Sequence, residues 1–176
     1  DTPLHLLGLL SNGNIHSHVD HSEALIRHAF QAGIRRCYLH ALLDGRDVGV
    51  QSALDYTEPF EQLFSELKSQ RTDIDYAFAS GGGREVVTMD RDNNWKKVEA
   101  GWKVHVKGDS ENRFPSIRNA IEHFRKLDPE IIDQDIPGFV IVRNGEAVTK
   151  IEDQHALIFT NFRSDRASEF TEAILA

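Results

Sequence analysis

The sequence predicts an α/β fold: a layered α/β/α domain around a largely parallel or mixed central sheet, with a late β-hairpin. Three observations carry this. Short apolar runs alternate with stretches of helical periodicity, the pattern of βαβ units. Several of those runs end in loops that carry an arginine. Late in the chain, Asn144-Gly145 lies between two apolar runs, a strong two-residue hairpin signal.

The first run, Leu4 to Leu10, reads as a central strand interrupted by His5. A polar loop, Ser11 to His18, follows. Asp20 three residues before Glu23 suggests a capping box. Leu25, Ile26, Ala29 and Phe30 then recur at helical spacing, and Gly33 is placed to stop the helix. Cys37 to Ala41 is the next strand, and it runs into Leu42-Leu43-Asp44-Gly45-Arg46-Asp47. A second helix is predicted over about 53–69, with Leu54, Phe60, Leu63, Phe64 and Leu67 on its buried side. Pro59 there marks either a position near the helix start or a break.

Ile74 to Ala79 reads as the third strand, ending in a Gly-rich loop, Ser80-Gly81-Gly82-Gly83-Arg84. Thr88 to Asp92 comes next, then helices over about 95–106 and 116–127 separated by a polar loop. Asp133 to Pro137 is expected to be extended, because the residue before a proline avoids helix. Phe139 to Val142 and Ala147 to Ile151 are the hairpin strands. Ala156 to Thr160 is the last strand, Asn161 to Arg166 its loop, and a helix carrying Phe170, Ile174 and Leu175 closes the sequence. No internal repeat, low-complexity linker or boundary divides residues 1–176, which read as a single domain.

Composition bounds the partners. The 176 residues suit one domain with a real core. The formal net charge of −8 argues against a nucleic acid or a membrane surface. It leaves room for a small anion, because local arginine placement can override net charge. Cys37 is the only cysteine, so neither a disulfide framework nor a thiolate zinc site is available. No signal peptide or membrane-spanning stretch is evident, and a cytoplasmic, monomeric protein is expected.

The arginines give the clearest pointer to chemistry. Arg46, Arg84 with Arg91, and Arg163 with Arg166 all follow strands, and ligands bind at the carboxyl ends of strands in α/β sheets. The planar guanidinium fits phosphate and carboxylate oxygens. The plain alternative is that these side chains pair with Asp44, Asp47, Asp90, Asp92 and Asp165, their neighbours in sequence. Five arginines at strand ends favour an anion pocket. A competing pattern, His16-Ser17-His18-Val19-Asp20-His21, fits the H-x-H-x-D-H motif of metallo-β-lactamase-like dizinc hydrolases. Its context disagrees: only fifteen residues precede it, and His105 and His123, among the remaining candidate ligands, fall inside predicted helices.

Taken in order, several blocks resemble the cofactor-independent (2,3-bisphosphoglycerate-independent) phosphoglycerate mutases. They are Gly8 to His18, His40 to Asp47, Gly83-Arg84 with Met89 to Asp92, Phe114-Pro115-Ser116, and Asn161 to Arg166. The resemblance covers the chain from about Leu4 onward, and it is to the inserted transferase domain alone. It implies that the phosphatase-like domain, with its nucleophilic serine and two divalent metal ions (manganese or magnesium), is absent here and would be the partner. No metal site is expected in this chain.

By the same resemblance, His16, Arg46, Asp47, Arg84, Arg91, Arg163 and Arg166 are the substrate-binding residues, for phosphoglycerate. Asp47, also singled out by its place beside Arg46, is the candidate general acid/base. One departure is visible, since the loop reads Ser11-Asn12-Gly13-Asn14 where the family commonly has Ser-Asp-Gly-Gly. The expected activity is a share in interconverting 3- and 2-phosphoglycerate, in glycolysis and gluconeogenesis, with the isolated domain binding substrate but not turning it over. A non-catalytic anion-binding or interaction module is the alternative.

Overall fold

A computed structural model describes residues 2–176. Its strands are β1 (Leu4–Leu10), β2 (Arg36–Leu43), β3 (Asp75–Gly83), β4 (Arg113–Phe114), β5 (Phe139–Arg143), β6 (Glu146–Ala147) and β7 (Ala156–Phe159). Its helices are α1 (Val19–Gln31), α2 (Ala53–Gln70), α3 (Trp95–Gly101), α4 (Ile117–Leu127) and α5 (Ser168–Leu175). A π turn, Trp102–Val106, continues α3, and 3₁₀ turns occupy Asp133–Asp135 and Ser164–Arg166.

All seven strands join one sheet in the order β4-β5-β3-β2-β1-β7, with β6 beside β5. The pairs β1–β2, β2–β3, β1–β7 and β4–β5 are parallel, whereas β5 runs antiparallel to β3 and β6 antiparallel to β5. The predicted α/β/α layering, with its mixed sheet, is therefore the observed one.

The strands are near-continuous apolar runs because both faces of the sheet are covered. On one face Leu6, Leu10, Leu39 and Phe78 pack with Ile26 of α1, Phe60, Leu63 and Leu67 of α2, and Ile121 and Phe124 of α4. On the other, Leu7, Leu9 and Leu42 pack with Val98 of α3, Val104 and Val106 of the π turn, and Phe170 of α5. One irregularity matters later. Leu39 pairs with Phe78 but His40 pairs with Ser80, so Ala79 is an extra residue in β3, a β-bulge.

Local chemistry departs from the sequence reading at four places. Helix α1 is capped by His18, whose Nδ1 accepts from Asp20 N–H at 3.3 Å, and Asp20 lies inside the helix. Pro59 lies within α2 without breaking it. The glycines of Ser80 to Gly83 are strand residues, not loop: a side chain at Gly81 would strike the Phe139 ring, and one at Gly83 the Gln134 backbone. The Asp133 segment coils into a 3₁₀ turn instead of extending, because its carboxylate is tied at 2.7 Å to Ala53 N–H and at 2.8 Å to Arg125.

The hairpin forms where predicted, with Asn144 at φ +52° and Gly145 at φ +84°. Those signs define a type I′ turn. Its second strand is shorter than read, since Ile151 N–H leaves the hairpin to bond Val106 O at 3.0 Å.

Candidate functional site

The parallel strands β1, β2, β3 and β7 deliver their following loops to one end of the sheet. The first loop is closed on itself: Val19 N–H donates to Ser11 O at 2.9 Å, and Ser17 Oγ donates to Leu9 O at 2.5 Å. This folds His16 inward, where it is 4% exposed. The loop after β7 clasps it, with Phe162 N–H donating to His16 O at 2.8 Å. Asn161 ties the same loop to β1 by accepting from Leu9 N–H at 2.9 Å.

The turn after β2 is organised by Asp44. One of its oxygens, Oδ1, accepts from Arg46 N–H at 3.2 Å, from Asp47 N–H at 3.1 Å and from Arg84 Nη1 at 2.7 Å. Gly45, at φ +65°, supplies the left-handed residue this tight turn needs. The same Arg84 Nη1 donates to Asp47 Oδ2 at 2.6 Å. Arg84, at the end of β3, therefore joins two carboxylates from the end of β2 and is 1% exposed. Gly13 of the first loop lies against Asp47, whose Cβ and carbonyl oxygen would both be 2.9 Å from a side chain there.

The other arginines divide into two groups. Arg163 Nε lies 2.9 Å and Arg91 Nη1 3.6 Å from Asp165, and both arginines are about half exposed. Arg166 is buried, with Nη1 3.0 Å from Glu85 Oε1 and 3.3 Å from Met89 O. Lys97 also reaches Glu85, at 3.3 Å, and Asp90, at 3.3 Å. Burial pushes the Glu85 carboxyl up, but Arg166 and Lys97 outweigh it and hold it below the usual range. Arg46 is exposed and forms no ion pair among the described residues.

His16 lies between these groups, its Nδ1 3.9 Å from Asp165 Oδ1. Burial, then the charge of Arg84, lowers its pKa, with Asp47 and Asp165 pulling the other way. Its Nδ1 is buried without a hydrogen-bond partner among the described residues, so the site holds a polar atom without a protein partner.

Of the residues named from sequence, His16, Asp47 and Arg84 come together, and Arg91 and Arg163 meet at Asp165, beside His16. Arg46 and Asp47 do not pair with each other; the partner of Asp47 is Arg84, 37 residues away. Arg166 faces Glu85, so its guanidinium braces the loop from beneath. Of the pattern His16-His18-Asp20-His21, His16 points away to Asp165, while His18 is occupied as a helix cap and lies 3.5 Å from Asp20. Among the described residues, no group of three or more His, Cys, Asp or Glu is placed to hold a metal ion.

Asp44, Glu85 and Asn161 belong to the site and were not named for it. The spacing of Asp44 from Arg46 and Asp47 was visible, but a buried role for it was not. An apolar groove of about 780 Å³, lined by Phe159, Asn161, Phe162, Ala167 and Leu175, lies along β7 and α5; it shares Asn161 with the site but includes none of these arginines.

Fold and loops together define a three-layer α/β domain with arginine-bearing loops at the carboxyl end of its sheet. The family described as BPG-independent PGAM N-terminus matches residues 1–176. The chain belongs to that family. It is 53% identical over 98% of its length to a probable 2,3-bisphosphoglycerate-independent phosphoglycerate mutase of Leptospira interrogans, and 41% identical over 97% to the Trypanosoma brucei enzyme. A crystal structure of Leishmania mexicana phosphoglycerate mutase, at low cobalt concentration, matches 98% of the chain with a TM-score of 0.93 and 42% identity. The chain spans 31% of the length of each of these relatives.

Proposed function

We propose that this chain is the phosphoglycerate-holding part of a 2,3-bisphosphoglycerate-independent phosphoglycerate mutase. The observation that carries the reading is the meeting, at one end of the sheet, of His16, Asp47 and Arg84 with Arg91 and Arg163 around Asp165. Phosphoglycerate bears a phosphate and a carboxylate, and each needs charge-assisted donors. Arg163 and Arg91, half exposed, can turn from Asp165 to an incoming phosphate. Arg46 and His16 are available to the carboxylate and hydroxyl end. Arg84 and Arg166 act from beneath, fixing Asp47 and the loop that carries Arg91.

Asp47 is held 2.6 Å from Arg84 on one oxygen and is partly open to solvent. It is the group assigned to proton transfer. The phosphoryl group leaves one glycerate oxygen for a nucleophile supplied by the rest of the parent enzyme, and Asp47 gives that oxygen a proton. Glycerate then reorients, Asp47 takes the proton from the other hydroxyl, and that oxygen accepts the phosphoryl group back. Protons and phosphoryl group balance over the cycle. The two divalent metal ions expected for the reaction are assigned to the remainder of the parent enzyme, because the donor set here does not fit one. The isolated chain then binds substrate without turnover and acts as a monomer in the cytoplasm.

Calorimetry with 3-phosphoglycerate and with sulfate, alongside a mutase assay, tests this. Preferential phosphoglycerate binding with no turnover is expected. Equal affinity for the two anions would favour a general anion-binding module, and mutase turnover by this chain alone would overturn the division of labour.

A further inference from the structure

Away from the arginine loops, four histidines and a serine form a continuous hydrogen-bonded chain through the sheet. His155 Nδ1 is 3.1 Å from His5 Nε2, and His5 Nδ1 is 3.0 Å from His40 Nε2. His40 Nδ1 is 2.7 Å from Ser80 Oγ, which is 2.7 Å from His105 Nδ1. His5, His40, Ser80 and His105 are at most 1% exposed, whereas the His155 side chain is 16% exposed.

The direction of the chain follows from one unambiguous donor. Glu152 N–H donates to His155 Nδ1 at 3.3 Å, so that nitrogen carries no hydrogen. His5 Nε2 must then donate to it, leaving His5 Nδ1 to accept from His40 Nε2–H. His40 Nδ1 accepts from Ser80 Oγ–H, and Ser80 Oγ accepts from His105 Nδ1–H. His105 Nε2 is left bare, and it is the one buried nitrogen of the chain without a hydrogen-bond partner among the described residues. All four rings are neutral in this arrangement.

We propose that this chain is a one-proton relay, taking up its hydrogen at His105 Nε2 and carrying the resulting positive charge on His155. On uptake, each bridging hydrogen crosses its own bond towards His155. His105 then holds Nε2–H, Ser80 keeps one hydrogen, His40 and His5 hold Nδ1–H, and His155 holds both, giving up the bond it accepted from Glu152 N–H. One proton is gained overall and none is lost. The charge comes to rest where it is best placed, since His155 Nε2 is 3.9 Å from Glu152 Oε2 and the partly exposed ring shares a surface pocket with Asp153, with Lys107 of that pocket opposing.

Charge on any inner ring is opposed from several sides. Arg36 of β2 acts on His5, Tyr38 lies 5.5 Å from it ring to ring, and the rings repel one another if charged. Burial lowers His5 to about 4 and His105 to about 3, and holds His40 well below the usual range. Uptake therefore links the Glu152–His155 turn to the π turn that holds His105, beside Phe170 of α5.

Long-range proton–nitrogen correlation spectra of the nitrogen-15-labelled chain test this directly, because bare and protonated ring nitrogens are well separated. At neutral pH, His5, His40 and His155 are expected as Nε2–H and His105 as the rarer Nδ1–H tautomer. As the pH is lowered, His5 and His40 should change to Nδ1–H and His105 to Nε2–H together with the appearance of the second ring hydrogen on His155, all with one shared midpoint. An Nε2–H tautomer of His105 at neutral pH, or titration of His155 with the other rings unchanged, overturns the relay. In His155→Phe, which removes the terminal acceptor of the chain, no concerted switch of His5, His40 and His105 is expected on acidification, and one like that of the wild type would also overturn it. If that variant does not fold, the wild-type spectra alone decide.

Discussion

Arg84 Nη1 stands 2.7 Å from Asp44 Oδ1 and 2.6 Å from Asp47 Oδ2, so a single guanidinium nitrogen from β3 fixes both carboxylates of the turn after β2. Removing the cation strands two negative charges, one of them with a side chain 1% exposed. Arg84→Ala is expected to destabilise the fold by about 3–5 kcal/mol, the cost of an uncompensated buried charge. Urea unfolding of the chain measures this, and a loss below about 1 kcal/mol would mean the pair behaves as a surface ion pair.

Asp47→Asn keeps the shape and, with Asp47 partly exposed, should keep the fold. In the full-length parent enzyme it is expected to lower kcat by roughly 10²–10⁴-fold, the usual contribution of a positioned acid/base. The affinity of the isolated chain for 3-phosphoglycerate should change much less. A variant with full kcat would remove Asp47 from the proton path.

Acid should weaken the fold through its histidines. The folded pKa values of His5, His40 and His105 lie below the ordinary value of 6.5, so the unfolded chain binds protons that the folded one does not. Their contribution is complete above about pH 6.5 and is lost as pH falls towards about 4 for His5 and about 3 for His105. His5 alone is worth on the order of 3 kcal/mol over that window. Denaturant midpoints measured between neutral pH and pH 4 should drop steeply, and His40→Gln should flatten the drop. A flat profile would contradict burial of these rings as neutral groups.

Gly45 combines φ +65° with a neighbour, since an added Cβ would lie 3.0 Å from Asp133 N and from Gln134 N. Gly45→Ala should cost about 1–3 kcal/mol and weaken phosphoglycerate binding by disturbing the Asp44–Asp47 turn. Thermal unfolding and calorimetry on the same sample separate the two effects.

Much of this architecture was legible because apolar runs and helical spacing are local signals. Leu4 to Leu10, the Phe60-Leu63-Phe64-Leu67 stripe and the Asn144-Gly145 turn each carry their own evidence. The arginines at strand ends were legible for the same reason, since position after a strand can be read along the chain. What each arginine faces could not be, because Arg84 meets Asp44 and Asp47 across 40 and 37 residues. The Gly81 to Gly83 run misled because glycine marks a loop unless a neighbour needs its missing side chain, and here Phe139 and Gln134 do. The histidine chain left no local trace, its links spanning 25 to 150 residues. His5 showed only as an interruption of an apolar run.

The bulge at Ala79 sets the parity of everything after it in β3. Before it, Tyr76 and Phe78 share the face of Cys37 and Leu39; after it, Ser80 shares that of His40, and Gly82 that of Leu42. Carried one step past the last pair, Leu43 with Gly83, this register sets Arg84 opposite Asp44. In an unbulged strand that place would fall to Gly83, and Ser80 would turn to the opposite layer. By setting one alanine out of register, the bulge keeps two unrelated features at once, the carboxylate-bridging guanidinium at the strand end and the hydroxyl link in the imidazole chain. Deleting Ala79 should spare both, since Ser80 then follows Phe78 opposite His40 in a regular strand, whereas inserting a second residue beside Ala79 should cost both together.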